Sequence, residues 1–466
     1  MRAERAPRST SRRALSSSSR FPVRTFRPLV ATVLLFLGAA AFAEPFFLPT
    51  GEEVYNTGDP RVRADAAGGL HLVYPLVAAT GAAYSYCPPG CGSAEEMATV
   101  VFQTGDFGAV GNALIALDGG GRPRVLLTTH QSVFYGECSG DCRLGSSWAL
   151  MEIYAHDGHW ELTGEAFALD PKGRPRFLMH AEQTYLGLFA PDPATAFFSC
   201  DSDCLDSDSW RRGVISEQSW LEPTFAYDAR GVAHVATVIP IEGAELVAYL
   251  TCAADCGSET VDNWPGIGLG YAFYDLYIEE IQPTVSMAVT STGGVRLAFL
   301  GKNDDSRFLA YFECDHDCTQ EDGETWGALA LIGNEAARQL GDGIQLILTR
   351  EDKPRLVYTH NSNIYLGHCD ADCVGNSGSD GWGAELVEAG ESIPPDTIFL
   401  NRGCNVGFWF LRQPSVALTA SGEALVAYRA EDVSAGWTPS PTDPTVRGCA
   451  AGVDMTLGRL ARLGGN

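Results

Sequence analysis

A single seven-bladed β-propeller of four-stranded blades is the fold class that this all-β sequence predicts, and three observations predict it. Six cysteine pairs share the spacing C-x-x-x-C and recur every 51 to 62 residues: Cys87/Cys91, Cys138/Cys142, Cys200/Cys204, Cys252/Cys256, Cys314/Cys318 and Cys369/Cys373. A second motif keeps one spacing through seven copies. Asp65, Asp118, Asp170, Asp228, Thr290, Thr349 and Thr419 each end a short apolar run. Three residues on stands Gly68, Gly121, Gly173, Gly231, Gly293, Asp352 or Gly422, and six on stands His71, Arg124, Arg176, His234, Arg296, Arg355 or Leu425. Third, a Trp follows the second Cys in five modules: Trp148, Trp210, Trp264, Trp326 and Trp382. Repeats of this period belong to radial arrays, and closing such modules into a ring protects their sheet edges.

The chain has 466 residues, and its first 43 read as a secretory signal. Residues 1–28 carry eight Arg and one Glu, and the apolar run Leu29 to Ala43 ends in Ala41-Phe42-Ala43. That is a basic n-region, an h-region and an A-x-A cleavage site. The run is short for a membrane span, and no later apolar stretch could span a bilayer. Ser11-Arg12-Arg13-Ala14-Leu15 faintly resembles a twin-arginine signal, so Sec and Tat export both stay open. The expected domain division is 1–43 signal peptide and 44–466 propeller, with the mature protein secreted, periplasmic or at the cell surface.

Each module reads as four strands. Strand A leads to the Asp/Thr turn, which with its left-handed Gly forms a tight hairpin. Strand B follows the Gly, strand C ends at the first Cys after an aromatic such as Tyr84, Tyr135 or Tyr365, and strand D starts at the Trp. The last module has strands A and B within 414–430 and a strand C near 453–460, but no strand D. The segment Phe46 to Tyr55 is the candidate that closes the ring, which would hold the termini together.

An exported chain with an even number of Cys, 14 in all, points to disulfides. Each C-x-x-x-C bridge would contribute about 2 kcal/mol on the chain-entropy model. Thiolate metal sites are the weaker reading, because pairs on different blades stand too far apart to complete a four-sulfur site. Cys404 and Cys449 break the pattern. A bridge between a D-to-A connection (391–412) and a B-to-C loop would staple a lid carrying Phe408, Trp409 and Phe410; the alternative puts those aromatics into the core of blade 7.

The net charge is −26, and 24 basic against 57 acidic residues remain beyond residue 43. That balance excludes a nucleic-acid footprint and docking on anionic lipid. Only Lys172, Lys302 and Lys353 are lysines; with the Ala/Gly richness this reads as a high-GC bacterial composition.

Thr319-Gln320-Glu321-Asp322-Gly323-Glu324-Thr325-Trp326 resembles the Asp-box, S/T-x-D-x-G-x-T-W, with Glu in place of the first Asp. That box marks the C-to-D turn of BNR-repeat, sialidase-like propellers, where it is structural. The resemblance implies the same module plan for the whole mature chain. Sialidases also use an Arg triad, a Tyr/Glu pair and an Asp acid, with one Arg in an F-R-I-P-type segment. No such segment occurs here, and no sialidase catalytic set is recognisable. Eight Arg, among them Arg122, Arg124, Arg174 and Arg176, fall at A–B turns, on the face opposite the usual pocket. Arg307, Arg338, Arg402, Arg412, Arg429 and Arg447 fall near the other face.

The candidate ligand residues come from the D-to-A and B-to-C loops, which vary most. His130, His180 and His360 end strand B in three blades; converging, they would bind a metal, and apart they are loop histidines. Lys302-Asn303-Asp304-Asp305 and His360-Asn361-Ser362-Asn363 offer partners for sugar hydroxyls, or ordinary turn chemistry. Tyr274, Asp275, Tyr277, Glu279 and Glu280 form an aromatic and acidic loop suited to carbohydrate or acid/base work, or a solvated one. Arg402 completes the set. No cofactor is expected, with Ca²⁺ at the Asp-rich turns (Asp201, Asp203, Asp206, Asp208 and Asp315, Asp317) left open. The Asp before each second Cys is read as a cap on its turn. The basic column from His71 to Arg355 pairs with its own turn Asp in four blades.

These features predict an exported recognition propeller that binds an extracellular glycan or protein through its D–A/B–C face without catalysis. The alternatives are a sialidase-like glycoside hydrolase, marked by clustered Arg and two carboxylates about 5 to 9.5 Å apart, and a structural envelope or matrix protein.

Overall fold

The computed structural model describes residues 44–51, 56–77, 80–156, 158–181, 192–241, 244–258, 263–271, 284–303, 306–320, 325–336, 340–375, 381–393, 409–432, 437–439, 447–449 and 455–464. Seven antiparallel sheets form a ring, each with strands A to D and with A innermost, successive in sequence except in blade 7; an eighth, two-stranded sheet pairs Trp437–Pro439 with Arg447–Cys449. Blade 2 shows the plan: Asn112–Leu117, Pro123–Thr128, Ser132–Cys138 and Trp148–Ala155. Blade 3 adds Trp160–Glu161, which pairs strand B (Pro175–Ala181) beyond the short strand A (Phe167–Leu169). The cores lie between adjacent blades. Val73 and Tyr84 of blade 1, for example, share one buried cluster with Ala113, Val125 and Leu127 of blade 2.

The A–B turns are built as their spacing requires. Asp118 Oδ1 accepts from the N–H groups of Gly120 and Arg122, and the Gly121 N–H donates to the Asp118 carbonyl at 2.8 Å with φ +76°. Thr349 Oγ1 does the same work for Glu351 and Lys353, with Asp352 (φ 59°) where other turns have glycine. His71, Arg124, Arg176 and His234 each face the Asp that opens their own turn. Where that residue is Thr, the cation turns to the strand C end instead: Arg296 meets Asp315 and Arg355 meets Asp370, both at 2.9 Å.

The six C-x-x-x-C pairs are disulfides in the C–D turns, with Cα atoms 5.6 to 5.8 Å apart: Cys87–Cys91, Cys138–Cys142, Cys200–Cys204, Cys252–Cys256, Cys314–Cys318 and Cys369–Cys373. The two halves of each bridge differ in setting. The first Cys ends strand C and is buried in each of blades 1 to 6. The second lies past the strand, in the turn itself; Cys91, Cys204, Cys318 and Cys373 are buried there, whereas Cys142 and Cys256 are half-buried.

The Asp before the second Cys has a different task from the cap expected of it. Asp203, Asp255, Asp317 and Asp372 stand at φ +53° to +57°. Asp tolerates this left-handed conformation better than most residues, and the main-chain carbonyl of each accepts a turn hydrogen bond from three residues on. Only Asp141 shows the expected side-chain cap among these five, to the Arg143 N–H.

The Trp that follows is fixed at both ends. Its indole N–H donates to the carbonyl of the second Cys in blades 2 to 6, as Trp210 does to Cys204 at 2.9 Å. Its ring packs on the aromatic three residues before the first Cys of the preceding blade. Tyr84 meets Trp148 at 4.7 Å, Tyr135 meets Trp210 at 5.4 Å and Tyr311 meets Trp382 at 4.9 Å between ring centroids. Of the Asp-box-like segment, residues 321–324 lie outside the described residues, while Trp326 follows the pattern.

The ring closes as the sequence predicts, with a shorter strand. Blade 7 comprises Trp409–Leu418, Ala424–Asp432, Met455–Leu463 and, as strand D, only Phe46–Phe47. Its seam is ionic. Arg459 donates to both oxygens of Glu388 (2.8 and 2.6 Å), to Pro45 O at 2.8 Å, and lies 4.3 Å from the Phe47 ring. The Tyr428 hydroxyl donates to the same carboxylate. Trp409 is 1 % exposed and packs on Phe47, so this aromatic enters the core of blade 7 and forms no lid. Phe408 and Cys404 lie outside the described residues; Cys449 ends a short strand, Arg447–Cys449.

Arg459→Met leaves the Glu388 charge buried and unmatched. It should cost about 3–5 kcal/mol in denaturant unfolding of the oxidised protein, with the Glu388→Leu/Arg459→Met double variant recovering much of the loss. Replacing Cys314 and Cys318 by Ser should cost about 2 kcal/mol in the same measurement.

Candidate functional site

Counting back from the residue that ends each strand A reveals the channel mouth. Six positions back stand Asp59, Asn112, Gly164, Glu222, Thr284, Gly343 and Gln413. Four of them have positive φ: Gly164, Glu222, Gly343 and Gln413. Four positions back stand Arg61, Leu114, Ala166, Thr224, Ser286, Gln345 and Ser415. This second ring stitches inner strands together. Ser415 Oγ accepts from Val62 N at 3.1 Å, Ser286 Oγ from Leu346 N at 2.8 Å, and Gln345 Oε1 from Val416 N. The Thr224 hydroxyl donates to Val285 O at 2.9 Å.

A cleft of about 350 Å³ opens where the stitching is interrupted by Leu114 and Ala166. It is lined by Asp59 and Arg61 of blade 1, Asn112 and the Thr128–His130 segment of blade 2, the connection from Trp160 to Gly164, and Glu222 of blade 4. Its volume is at the low end of small-molecule sites, roughly 300–1,000 Å³. The amide of Asn112 donates to Leu162 O at 3.2 Å and Gly164 O at 3.4 Å, and the Arg212 guanidinium covers the Trp160 ring at 4.4 Å.

The arginines at the mouth already hold carboxylates. Arg61 and Arg63 clamp Glu165 at 2.9 and 2.5 Å. Burial works against the Glu165 charge, but the two guanidiniums outweigh it and keep the pKa below the usual range. Arg429 bridges Asp59 and Glu431, both at 2.8 Å, and Arg412 meets Glu431 at 3.0 Å. Glu222 is different. Among the described residues no cation stands within ion-pair distance of it. Burial pushes its pKa up to about 7; Arg61 and the Gly164 amide pull the other way, and the charges of Asp59 and Glu161 add to the push. Its backbone is left-handed (φ 47°), with its N–H on Thr163 Oγ1 at 3.1 Å.

Of the residues singled out from sequence, His130 is exposed and lines this cleft. His180 is buried, stands opposite Glu161 in register, and burial lowers its pKa to about 4. His360 ends strand B of blade 6, followed by Asn361 (φ 51°) and Ser362 (φ 62°), a two-residue hairpin turn with both central residues left-handed. Turn geometry thus suffices for Asn361. Lys302 and Asn303 end strand B of blade 5 (Val295–Asn303). Tyr274, Asp275, Tyr277, Asp304 and Arg402 lie outside the described residues.

The bridged cysteines line no part of the cleft, neither the strand-ending Cys87, Cys138, Cys200, Cys252, Cys314 and Cys369 nor the turn residues Cys91, Cys142, Cys204, Cys256, Cys318 and Cys373. All twelve are spent in disulfides, so they take no part in ligand contact there. Among the described residues no three His, Cys, Asp or Glu side chains converge to hold a metal, so the three histidines form no such site. Of the sialidase-type candidates, Arg307 is buried with Nη1 donating to Leu340 O at 2.7 Å. Tyr428 and Glu388 make a Tyr/Glu pair, but in the seam and away from the cleft lining. Asp59, Arg61, Asn112, Trp160, Glu161 and Glu222 were missed in the sequence; counting back from the turn residue finds Asp59, Arg61, Asn112 and Glu222.

No protein-family model matches the chain, and no curated protein matches it in sequence. Solved structures that align with it include the polysaccharide lyase Uly1, at 10 % identity over 89 % of this chain and 93 % of that one, TM-score 0.47. A protein of unknown function from Dyadobacter fermentans aligns at 11 % identity over 90 % and 98 %, TM-score 0.41. A mutant of the NanB sialidase from Streptococcus pneumoniae aligns at 9 % identity over 91 % and 70 %, TM-score 0.42. At these values no residue correspondence carries into the cleft.

The cleft floor depends on one glycine. A Cβ at Gly164 (φ +62°) would lie 2.6 Å from the Glu222 carbonyl carbon and 2.7 Å from Pro223 O, both rigid backbone. Gly164→Ala should therefore cost roughly 2 kcal/mol or more in denaturant unfolding, and shift the tryptophan emission of the folded protein as Trp160 moves.

Proposed function

We propose that this protein is an exported recognition propeller that binds a saccharide in the channel-mouth cleft without cleaving it. The observation that carries the reading is the company of the lining groups. A half-buried indole, Trp160, borders a cleft that also presents amide, hydroxyl, imidazole and carboxylate groups beside the paired Arg61 and the apolar Ala109 and Leu162, which suits a ring with one apolar face and many hydroxyls. Arg61 is paired with Glu165, and Arg429 with Asp59 and Glu431, so an anionic ligand would have to compete with these carboxylates for them. Six disulfides fit an oxidising compartment, and among the described residues no helix is long and apolar enough to cross a membrane.

A second reading, cleavage of a glycosidic bond, is favoured by Glu222, which shares the cleft with Asp59 and Glu161. A carboxyl that keeps its proton to about pH 7 is equipped as a general acid.

A glycan array probed with labelled oxidised protein, with Ca²⁺ and with chelator, tests both. A saturable saccharide hit that weakens at least tenfold in Trp160→Ala and in Asn112→Ala supports recognition in this cleft. Release of reducing ends from that saccharide by wild type and not by Glu222→Gln selects hydrolysis. A blank array under both conditions rejects the two readings together.

A further inference from the structure

We infer that Glu222 sets the ligand preference of the cleft by entering the complex as a neutral carboxylic acid and donating a hydrogen bond to an acceptor oxygen of an uncharged saccharide. This rests on the saccharide reading above and adds a protonation state and a direction of hydrogen bonding.

The geometry starts from a charge inventory of the mouth. Asp59 has Arg429, Glu165 has Arg61 and Arg63, and Glu431 has Arg412 and Arg429. Glu222 lines the same cleft with no cation of its own among the described residues. The groups that face it are Arg61 and Asp59 from blade 1, Glu161 and Gly164 ahead of blade 3; His130 lies across the cleft lining. Arg61 is the one cation near enough to favour an anionic Glu222, and its Nε is engaged with Glu165 at 2.9 Å. A carboxylate enclosed beside Asp59 and Glu161 has the higher cost, so the neutral acid is the favoured form.

The position is also fixed. Strand A of blade 4 (Leu221–Tyr227) breaks register between Leu221 and Thr224. The irregularity, the left-handed backbone and the bond to Thr163 hold Glu222 at the rim rather than in the ladder. A protonated carboxyl there has one O–H donor. The cleft also offers the carboxylates of Asp59 and Glu161, the hydroxyls of Thr128, Thr129 and Thr163, the His130 ring, and an Asn112 amide that is turned to two main-chain carbonyls. Glu222 is therefore placed to supply a further donor at the rim, beside an Asp59 carboxylate already paired with Arg429.

The sign of the pH dependence follows. The free folded protein holds the proton up to about 7, whereas an unfolded Glu releases it near 4.3. Stability from this group is full below about pH 4, falls as pH rises through about 7, and is level above. Saccharide affinity follows the protonated fraction in the free protein, so it should be about tenfold weaker at pH 8 than at pH 6.

The test uses oxidised wild type, Glu222→Gln and Glu222→Leu, checked for folding by circular dichroism, with cellohexaose, mannohexaose and chitohexaose at pH 6 and pH 8. Glu222→Gln keeps a donor without a charge. It should bind with the pH 6 affinity of wild type at both pH values, while Glu222→Leu should lose at least tenfold at both. Carbon-13 NMR of glutamate carboxyls, assigned by difference from Glu222→Gln, should show one group titrating near 7. A midpoint near 4.5, or a Glu222→Gln protein that keeps the wild-type pH dependence, overturns the donor role and leaves saccharide binding standing. No binding of any of the three probes at either pH overturns the donor role as well, and with a blank array it overturns saccharide recognition itself.

Discussion

The innermost strand of every blade ends its sheet, and that unpaired edge is the constraint on which the rest of this ring depends. Main-chain N–H and C=O groups left without partners away from water cost about as much as a lost hydrogen bond. Ser286, Gln345 and Ser415 answer it with side chains that reach the main chain of the next inner strand, and Thr224 answers it with a donor. Blades 2 and 3 have Leu114 and Ala166 at the equivalent positions, which cannot do this. There the gap is spanned by a single main-chain bond from Phe225 N–H to Glu165 O at 3.1 Å and by larger pieces, the Arg61–Glu165–Arg63 clamp and the Asn112 amide. Larger pieces leave space, and the cleft is that space.

Stability is concentrated elsewhere. The opposite face carries the A–B turns, their ion pairs and the six disulfide turns. The Trp wedges on a Tyr or Phe join each of blades 1 to 5 to the next, each aromatic pair worth about 0.5–1.5 kcal/mol beyond its burial. The seam uses a buried ion pair, because blade 7 has no C-x-x-x-C turn with its following Trp and its strand D is two residues long. Arg459 compensates by tying Glu388, Tyr428 and Pro45 through one guanidinium. With the ring held in this way, the D–A/B–C face is free to vary without loosening the blades.

The division explains what could be read in the sequence. The Asp/Thr turn, the Cys pairs and the Trp recur because every blade repeats the same local hydrogen bonds, so strand order, disulfides and ring closure were all legible. The mouth was not, because the residue lining it changes from blade to blade: Asp59, Asn112, Gly164, Glu222. Choosing candidates by residue type in the loops selected His360 and Asn361, whose roles are those of a hairpin turn, and passed over Arg61 and Glu222, which lie at the start of inner strands. His130 was found because it ends a strand B at the cleft itself. The Glu388, Tyr428 and Arg459 contact joins residues 71 apart in sequence and could not be seen before the ring was closed.

Long-range charge bears on the same choice of ligand. With a net charge of −26 the surface potential is negative beyond any single pair. At physiological salt that potential is screened within about 8 Å, so it weighs most inside a cleft, where solvent ions have least access. A negative field there favours the proton on Glu222, since it raises the cost of one more anion. The same field opposes an anionic ligand, whose natural counter-charges, Arg61 and Arg429, are committed to Glu165, Asp59 and Glu431. An uncharged ligand meets neither penalty, and a protonated carboxyl can donate a hydrogen bond to it without adding an anion to that field.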